Sequence, residues 1–158
     1  MSLDEKRALL KKGSEFNRDN AENIRFDPNI PVTVILPAEW HKEFKQESRT
    51  ATDKDGKERQ YVTSIFKVRN PNAADPQRLR TLRASEALYE EMNTVIGGAL
   101  ETGWNGDLIM RIEKKVTGGN TYGKWSVQGR EFKEEEARKI RNDNSNNTRT
   151  DPVNNTRG

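Results

Sequence analysis

In the central part of the chain, hydrophobic residues follow two different spacings, which together predict a β-rich domain. One stretch, residues 85–101, repeats apolar side chains at helical spacing from Leu88 to Leu100, which predicts a helix with one buried face. The other stretches are β-branched or alternate apolar with polar residues, which predicts strands at 31–37, 61–69, 79–84, 108–116 and 122–128. The predicted order is three strands, a helix with Ser85 as its N-cap, and two strands.

The segments around these elements are polar. Ser2 and Glu5 match a capping box, so a short helix is expected to begin there and to end at Gly13. Within the domain, residues 46–60 surround an Asp-Gly pair and are predicted to form a mobile, hairpin-like loop. The resulting division is a helix and arm at 1–29, a folded domain at 30–130, a charged helix at 131–141 and a disordered tail at 142–158.

The charged residues are distributed unevenly along the chain. The 158-residue chain has a formal net charge of only +3, which by itself says little about a partner. The segments 61–83 and 108–130 are different, because each contains five basic residues and one acidic residue. Local positive charge of this kind is typical of surfaces that contact phosphate, although ordinary solvated strand faces are the simpler alternative.

Other features of the sequence bear on the cellular compartment of the protein. The absence of cysteine excludes disulfides and thiolate chemistry and fits a reducing compartment. The N-terminus lacks an apolar signal sequence, and no apolar run approaches the ~20 residues that span a bilayer. We therefore expect a cytoplasmic protein without a membrane partner.

Three patterns that suggest catalysis or metal binding fail on inspection. The segment 118–125 matches most of a phosphate-binding loop, but Trp125 stands where that chemistry needs a Ser or Thr hydroxyl. Asp107 and Glu113 have the residue types of a metal-dependent nuclease, yet six residues of one strand separate them by roughly 20 Å. His41 is the only histidine, and a single histidine makes a poor metal site. We expect no enzymatic activity, no cofactor and no metal.

The remaining candidate is a basic and aromatic strand surface. Binding a single nucleic-acid strand requires cations along the phosphates and flat side chains on which bases stack. Alternation puts Tyr61, Lys67 and Arg69 on the outward side of one predicted strand. For each aromatic residue, packing in the domain is the alternative. The predicted nucleic-acid-binding residues are Trp40, Tyr61, Lys67, Arg69, Arg80, Arg111, Lys115, Tyr122 and Lys124.

The order of elements resembles that of OB-fold single-stranded DNA-binding proteins, particularly those of bacteriophages. The segments "RTLRASEALYEEM" at 80–92 and "LIMRIEKKVTGGNTYGKWSV" at 108–127 carry this resemblance. It implies a mainly β fold: a five-stranded, OB-like Greek-key barrel with a helix between strands three and four. The helical N-terminal arm and the C-terminal helix, both predicted from the residues themselves, would be additions to this barrel. Many bacterial members recruit partners through an acidic, Phe-tipped tail, whereas the last residues of this sequence are Asn-Asn-Thr-Arg-Gly, so we do not expect recruitment of that kind.

The resemblance also implies a function. We expect a non-enzymatic protein that coats and protects unwound single-stranded DNA during phage DNA replication or recombination, with little sequence specificity. Its setting would be the cytoplasm of the host, and replication or recombination proteins would be further partners. The alternative is a structural or assembly protein of a virion or tail, in which the arm and the tail make subunit contacts. The sequence leaves open the oligomeric state and the choice between DNA and RNA.

Overall fold

A computed structural model describes residues 1–118 and 123–133 of the chain. In chain order the elements are helix α1 (Leu3–Asp19), strand β1 (Val32–Leu36), a 3-10 turn (Trp40–Lys42), strands β2 (Lys45–Thr52), β3 (Glu58–Arg69) and β4 (Leu79–Ala84), helix α2 (Glu86–Glu101), and strands β5 (Asp107–Lys115) and β6 (Lys124–Phe132). The protein is mainly β, as the sequence predicts.

The six strands form one antiparallel sheet in the order β2-β3-β1-β5-β6, and β4 pairs with β3. The long strand β3 organises this arrangement. Its residues Ser64 and Ile65 pair with both β2 and β4, so these two strands lie on opposite edges of β3. Its last residue, Arg69, pairs with Ile35 of β1. Among the described residues no pairing joins β4 to β6, so the sheet remains open rather than closing into the expected barrel.

The segment predicted as a mobile, hairpin-like loop is a regular β-hairpin of two long strands. Its residues belong to β2 and to the first half of β3, which pair in register from Lys45–Ile65 to Thr52–Glu58. The Asp53 side chain closes the turn by accepting hydrogen bonds from the backbone N–H groups of Asp55 and Lys57. The strands themselves were missed because β2 lies at the sheet edge with nearly all its side chains exposed, so it lacks the apolar alternation that marks a half-buried strand.

The structure changes the predicted end of the N-terminal helix and the predicted start of the C-terminal one. Helix α1 begins as expected, with the Ser2 hydroxyl accepting from the Glu5 N–H at 3.2 Å, but it continues past Gly13 to Asp19. A glycine inside a helix costs only about 1 kcal/mol relative to alanine, so it does not by itself end one. The start of the predicted helix 131–141 is wrong, since Phe132 ends β6 opposite Asp107. The rest of that segment and the tail at 142–158 lie outside the described residues.

Helix α2 packs its apolar side against one face of the sheet and forms the core. The Ser85 hydroxyl accepts from the Leu88 N–H, which confirms the predicted cap. The helix approaches β6 closely at Gly129, where an added Cβ would lie 2.4 Å from Cγ1 of Val95. The buried core comprises Val34, Leu36, Phe66, Val68, Leu82, Ala84, Leu88, Met92, Ile96, Leu108, Met110 and Ile112.

The N-terminal arm, residues 20–31, crosses from one end of the open sheet to the other. Asn23 forms a parallel bridge with Thr81 on β4, and the Ile24 N–H donates to the Thr81 carbonyl at 2.8 Å. Farther along, the Phe26 ring meets the Trp125 ring of β6 edge-on, with 5.1 Å between centroids. The arm therefore lies in the gap between β4 and β6.

The arm ends at strand β5. The Asn29 side chain donates to the Val116 carbonyl and accepts from the Val116 N–H, each at 3.0 Å. The Asn29 N–H donates to the Lys114 carbonyl at 2.8 Å. These bonds attach the arm where the chain turns toward β1.

Candidate nucleic-acid interface

The side of the sheet opposite α2, here called the outer face, can be read directly from strand register. Residues directly opposite in an antiparallel pair project to the same side, and side chains alternate along each strand. One row of the outer face is Arg69, Ile35, Ile109 and Arg130. Ile35 and Ile109 pack with Phe132 in a small cluster separate from the main core.

Basic side chains are concentrated on this outer face. Following the register through all six strands gives ten basic positions and three acidic ones. The basic positions are Lys45, Arg49, Arg59, Lys67, Arg69, Arg83, Arg111, Lys115, Lys124 and Arg130, and the acidic ones are Glu47, Asp107 and Glu113. The core side of the same strands has two of each: Arg80 and Lys114, and Glu58 and Glu131. The outer face is therefore strongly positive although the whole chain is nearly neutral.

The three acids do not remove this excess. Each of them lies within 4 Å of an outer-face cation, in the pairs Glu47–Lys45, Glu47–Arg83, Asp107–Arg69 and Glu113–Arg111. Lys115 and Lys124 lie directly opposite one another across β5 and β6. Like charges in that position destabilise a sheet, so stability alone does not favour this arrangement. A bound polyanion would relieve the repulsion.

Four of the predicted binding residues are accessible on the outer face. Arg111, Lys115 and Lys124 are exposed, and Tyr61 is half-buried. The guanidinium of Arg49 lies 6.0 Å from the centroid of the Tyr61 ring. This pair places a cation beside a flat ring, the combination that stacking on a base requires.

Two further predicted residues lie on the outer face but already hold the sheet together. The Lys67 ammonium donates to the Thr81 hydroxyl at 2.7 Å. The Arg69 side chain is only 14% exposed, and its guanidinium lies 2.6 Å from the Asp107 carboxylate. Asp107 also accepts from the Ala38 N–H at 2.8 Å. Arg69 and Asp107 thus join β3 to β5 near the end of β1.

Arg80 lies in the interior, Trp40 is half-buried beside a surface depression that Lys67 and Arg69 also line, and Tyr122 lies outside the described residues. The Trp40 ring packs against Phe44 and Phe66, with centroid distances of 5.7 and 5.9 Å. Arg80 is 2% exposed on the core side of β4. Its Nη1 donates to the carbonyls of Asn20 and Ala21 at 2.7 and 2.8 Å. The interface proposed below therefore omits Arg80, whereas Trp40 lies beside the outer face, off its strands, and retains a partly exposed ring.

Sequence reasoning missed half of the cations on the outer face. Those residues are Lys45, Arg49, Arg59, Arg83 and Arg130. Arg49 and Arg59 lie in the segment 46–60, which was predicted as a hairpin-like loop and so was assigned no face, and Lys45 directly precedes it. The alternation of Lys45, Glu47 and Arg49 was the available signal, and it has the period of a strand.

Arg111 and Arg130 also line a shallow depression of about 310 Å³ with Thr33 and Gln128.

Other kinds of site have little support. Within residues 1–118 and 123–133, no three His, Asp or Glu side chains group closely enough to hold a metal ion. Asp107 and Glu113, the weak nuclease pair, lie at opposite ends of β5, and the former is engaged by Arg69. In the same part of the chain, neither helix is long and apolar enough to cross a membrane.

Comparisons with protein-family models, with curated proteins and with solved structures found no match to this chain. Function is therefore inferred from the surface itself.

Proposed function

We propose that this protein binds single-stranded DNA along the outer face of its sheet and acts without catalysis, coating and protecting unwound strands. The observation that carries the proposal is the segregation of charge, with ten basic and three acidic positions on one face. Such a face attracts a phosphate backbone irrespective of sequence. Phage DNA replication or recombination is the setting that the family resemblance implies.

The strand arrangement supports an OB-like interpretation of the fold. Strands β1 and β2 lie along the same edge of β3 and are separated by the short turn at Trp40–Lys42. If they are counted as one interrupted strand, the chain has five strands with a helix between the third and the fourth, the OB order. In that interpretation β3 and β4 are the strands whose outer side contacts oligonucleotides. The arm then occupies the position where the barrel would otherwise close.

The composition of the face favours phosphate contacts over base reading. Among its described positions, Tyr61 is the accessible aromatic side chain, while Phe132 is buried. One stacked base contributes about 1–3 kcal/mol, which gives a preference for single strands but little sequence specificity. Most of the affinity should therefore be electrostatic and strongly dependent on salt.

The decisive experiment is fluorescence anisotropy of a labelled oligothymidine of about 30 nucleotides, a length that exceeds the ~4–16 nucleotides bound by one OB fold. It is repeated at several salt concentrations, with a duplex of equal length for comparison. We expect tighter binding to the single strand and a logarithmic affinity that falls linearly with the logarithm of salt concentration.

Charge reversal tests the location of the site. The Arg49→Glu/Arg111→Glu variant should bind at least about tenfold more weakly, and its salt slope should be smaller by about 1.4 if both residues contact phosphate. The matched control, Lys11→Glu/Arg25→Glu, changes the net charge equally but away from the outer face. Equal losses in the two variants would contradict the proposed interface.

A second candidate, an assembly protein of a virion or tail, is favoured by one observation. Helix α1 exposes four large apolar side chains: Leu3, Leu9, Leu10 and Phe16. Stable, large assemblies in the absence of nucleic acid, together with no binding to either oligonucleotide, would support this alternative.

A further inference from the structure

Helix α1 carries an apolar surface that no other part of residues 1–118 and 123–133 covers. All side chains from residue 1 to residue 17 are exposed, and α1 contains no buried residue. The apolar residues Leu3, Leu9, Leu10 and Phe16 are 64, 55, 74 and 61% exposed. A lone helix of this length is marginal in water, because most helical stability in proteins comes from packing an apolar face. Its apolar side therefore needs a partner.

The positions of these residues around the helix define one continuous surface. At about 100° per residue, the four apolar side chains fall within an arc of about 140°, and Gly13 lies near its middle. Nothing lies within 4 Å of a Cβ built at Gly13, so the centre of the arc is open. Lys6 is the charged residue inside the arc. The remaining charged residues lie on or beyond its margins.

This surface is complementary to itself. If two copies of α1 cross antiparallel about the point between Leu9 and Leu10, these two residues face each other across the contact. Leu3 of one copy then faces Phe16 of the other. Lys6 falls opposite Gly13, where the missing side chain leaves room for its aliphatic stem while the ammonium reaches water. The contact is isologous, as expected for a two-fold dimer.

The charges at the margin of the arc agree with the antiparallel orientation. Glu5 and Lys12 border the arc on the same side, about 20° apart around the helix axis. In the antiparallel register, Glu5 of one copy lies within two residues of Lys12 of the other, so two opposite-charge pairs flank the contact. In a parallel two-fold pair, the Glu5 and Lys12 side chains of one copy would lie on the opposite side of the contact from those of the other copy, so the Glu5–Lys12 pairs would not form.

The geometry points to α1 as a self-association helix that pairs antiparallel with α1 of a second copy. A lipid surface fits less well, because Lys6 lies inside the apolar arc and the opposite side mixes Asp4 and Glu15 with basic residues. The contact is small, so pairing should be weak in solution. If the proposed function holds, two copies on one strand reach a high effective concentration, and pairing would make binding cooperative.

Sedimentation equilibrium of the full chain without nucleic acid tests the pairing independently of the proposed function. The wild type should show a monomer–dimer equilibrium. Leu10→Glu should weaken dimerisation at least tenfold, whereas Ala8→Glu, which adds the same group on the opposite side of α1, should dimerise like the wild type. Circular dichroism checks that each variant is folded. A wild type that stays monomeric, or a Leu10→Glu variant that dimerises normally, would overturn the proposal.

Cysteine cross-linking tests the orientation, and the cysteine-free chain suits it. A mixture of Leu3→Cys and Phe16→Cys chains should form mixed disulfides, whereas Leu3→Cys alone should not cross-link efficiently. The reverse result would indicate parallel pairing and would refute the antiparallel assignment. Binding of α1 to anionic lipid vesicles without dimerisation would likewise count against a second copy as its partner.

Discussion

Arg80 offers a sharp test of the arm's attachment. The residue is 2% exposed, forms no ion pair among the described residues, and donates only to the carbonyls of Asn20 and Ala21. Its Nε is buried without a hydrogen-bond partner. A buried cation held only by backbone carbonyls indicates that the arm and Arg80 depend on each other. Replacing Arg80→Met keeps most of the side-chain volume but removes both bonds.

The size of the effect follows from these contacts. Each hydrogen bond from a charged donor contributes about 1.5–3 kcal/mol, and part of this is offset because methionine avoids the cost of burying a charge. We expect a net loss of about 3 kcal/mol, felt mainly by the arm. At about 1.4 kcal/mol per factor of ten, this corresponds to roughly 100-fold more frequent opening of the arm.

Native-state hydrogen exchange measures this opening at two amides. The Ile24 N–H donates to the Thr81 carbonyl, and the Thr81 N–H donates to the Glu22 carbonyl, so both report on the contact between arm and strand. In Arg80→Met both should exchange faster, while the amides shared by β3 and β4 should keep their protection. The matched control is Arg83→Met, since Arg83 lies on the same strand and points to the opposite face.

Unchanged exchange at both amides in Arg80→Met would show that the guanidinium does not hold the arm. A uniform loss of protection throughout the sheet would also refute the reasoning, because it would mean that the arm and the sheet open as one unit. Equally faster exchange of the two amides in Arg83→Met would indicate that replacing any arginine of β4 loosens the arm, and not specifically the loss of the Arg80 hydrogen bonds.

Two further predictions concern the core and the interface. Gly129→Ala places a methyl group 2.4 Å from Cγ1 of Val95, so thermal or denaturant unfolding should show a loss of about 1–3 kcal/mol. Adding Val95→Ala should recover part of that loss, since the clashing group is then removed. Tyr61→Ala should reduce oligothymidine affinity by about 1–3 kcal/mol in the anisotropy assay, with little change for duplex DNA.

Each of these has its own check. If the Gly129→Ala/Val95→Ala variant recovers no stability, the destabilisation by Gly129→Ala does not come from the contact with α2. Tyr61→Phe retains the ring and should bind like the wild type. If Tyr61→Ala binds the single strand and the duplex with equally reduced affinity, the ring supports the sheet rather than a stacked base.

Local patterns were sufficient for much of the fold. Helix α2 and its Ser85 cap follow from apolar spacing and capping chemistry, which depend on neighbouring residues alone. The same holds for β1, whose β-branched run lies between two prolines. Strand β2 has no apolar pattern of this kind, because both of its sides are exposed, and its only local signal is the alternation of charged residues at Lys45, Glu47 and Arg49. Its strand conformation is imposed by pairing with β3, a contact that no local pattern records.

The candidate interface depended still more on tertiary structure. The sequence by itself determined that the two segments 61–83 and 108–130 are basic and that the termini are polar. It did not determine which side chains share a face, because a shift of one residue in register moves every side chain of a strand to the other side. Only pairing of the strands brought Arg49, Arg83 and Arg130 onto one surface. Arg80 was predicted to contact DNA, but it is buried and donates hydrogen bonds to carbonyls of the arm, which only the path of the arm could show.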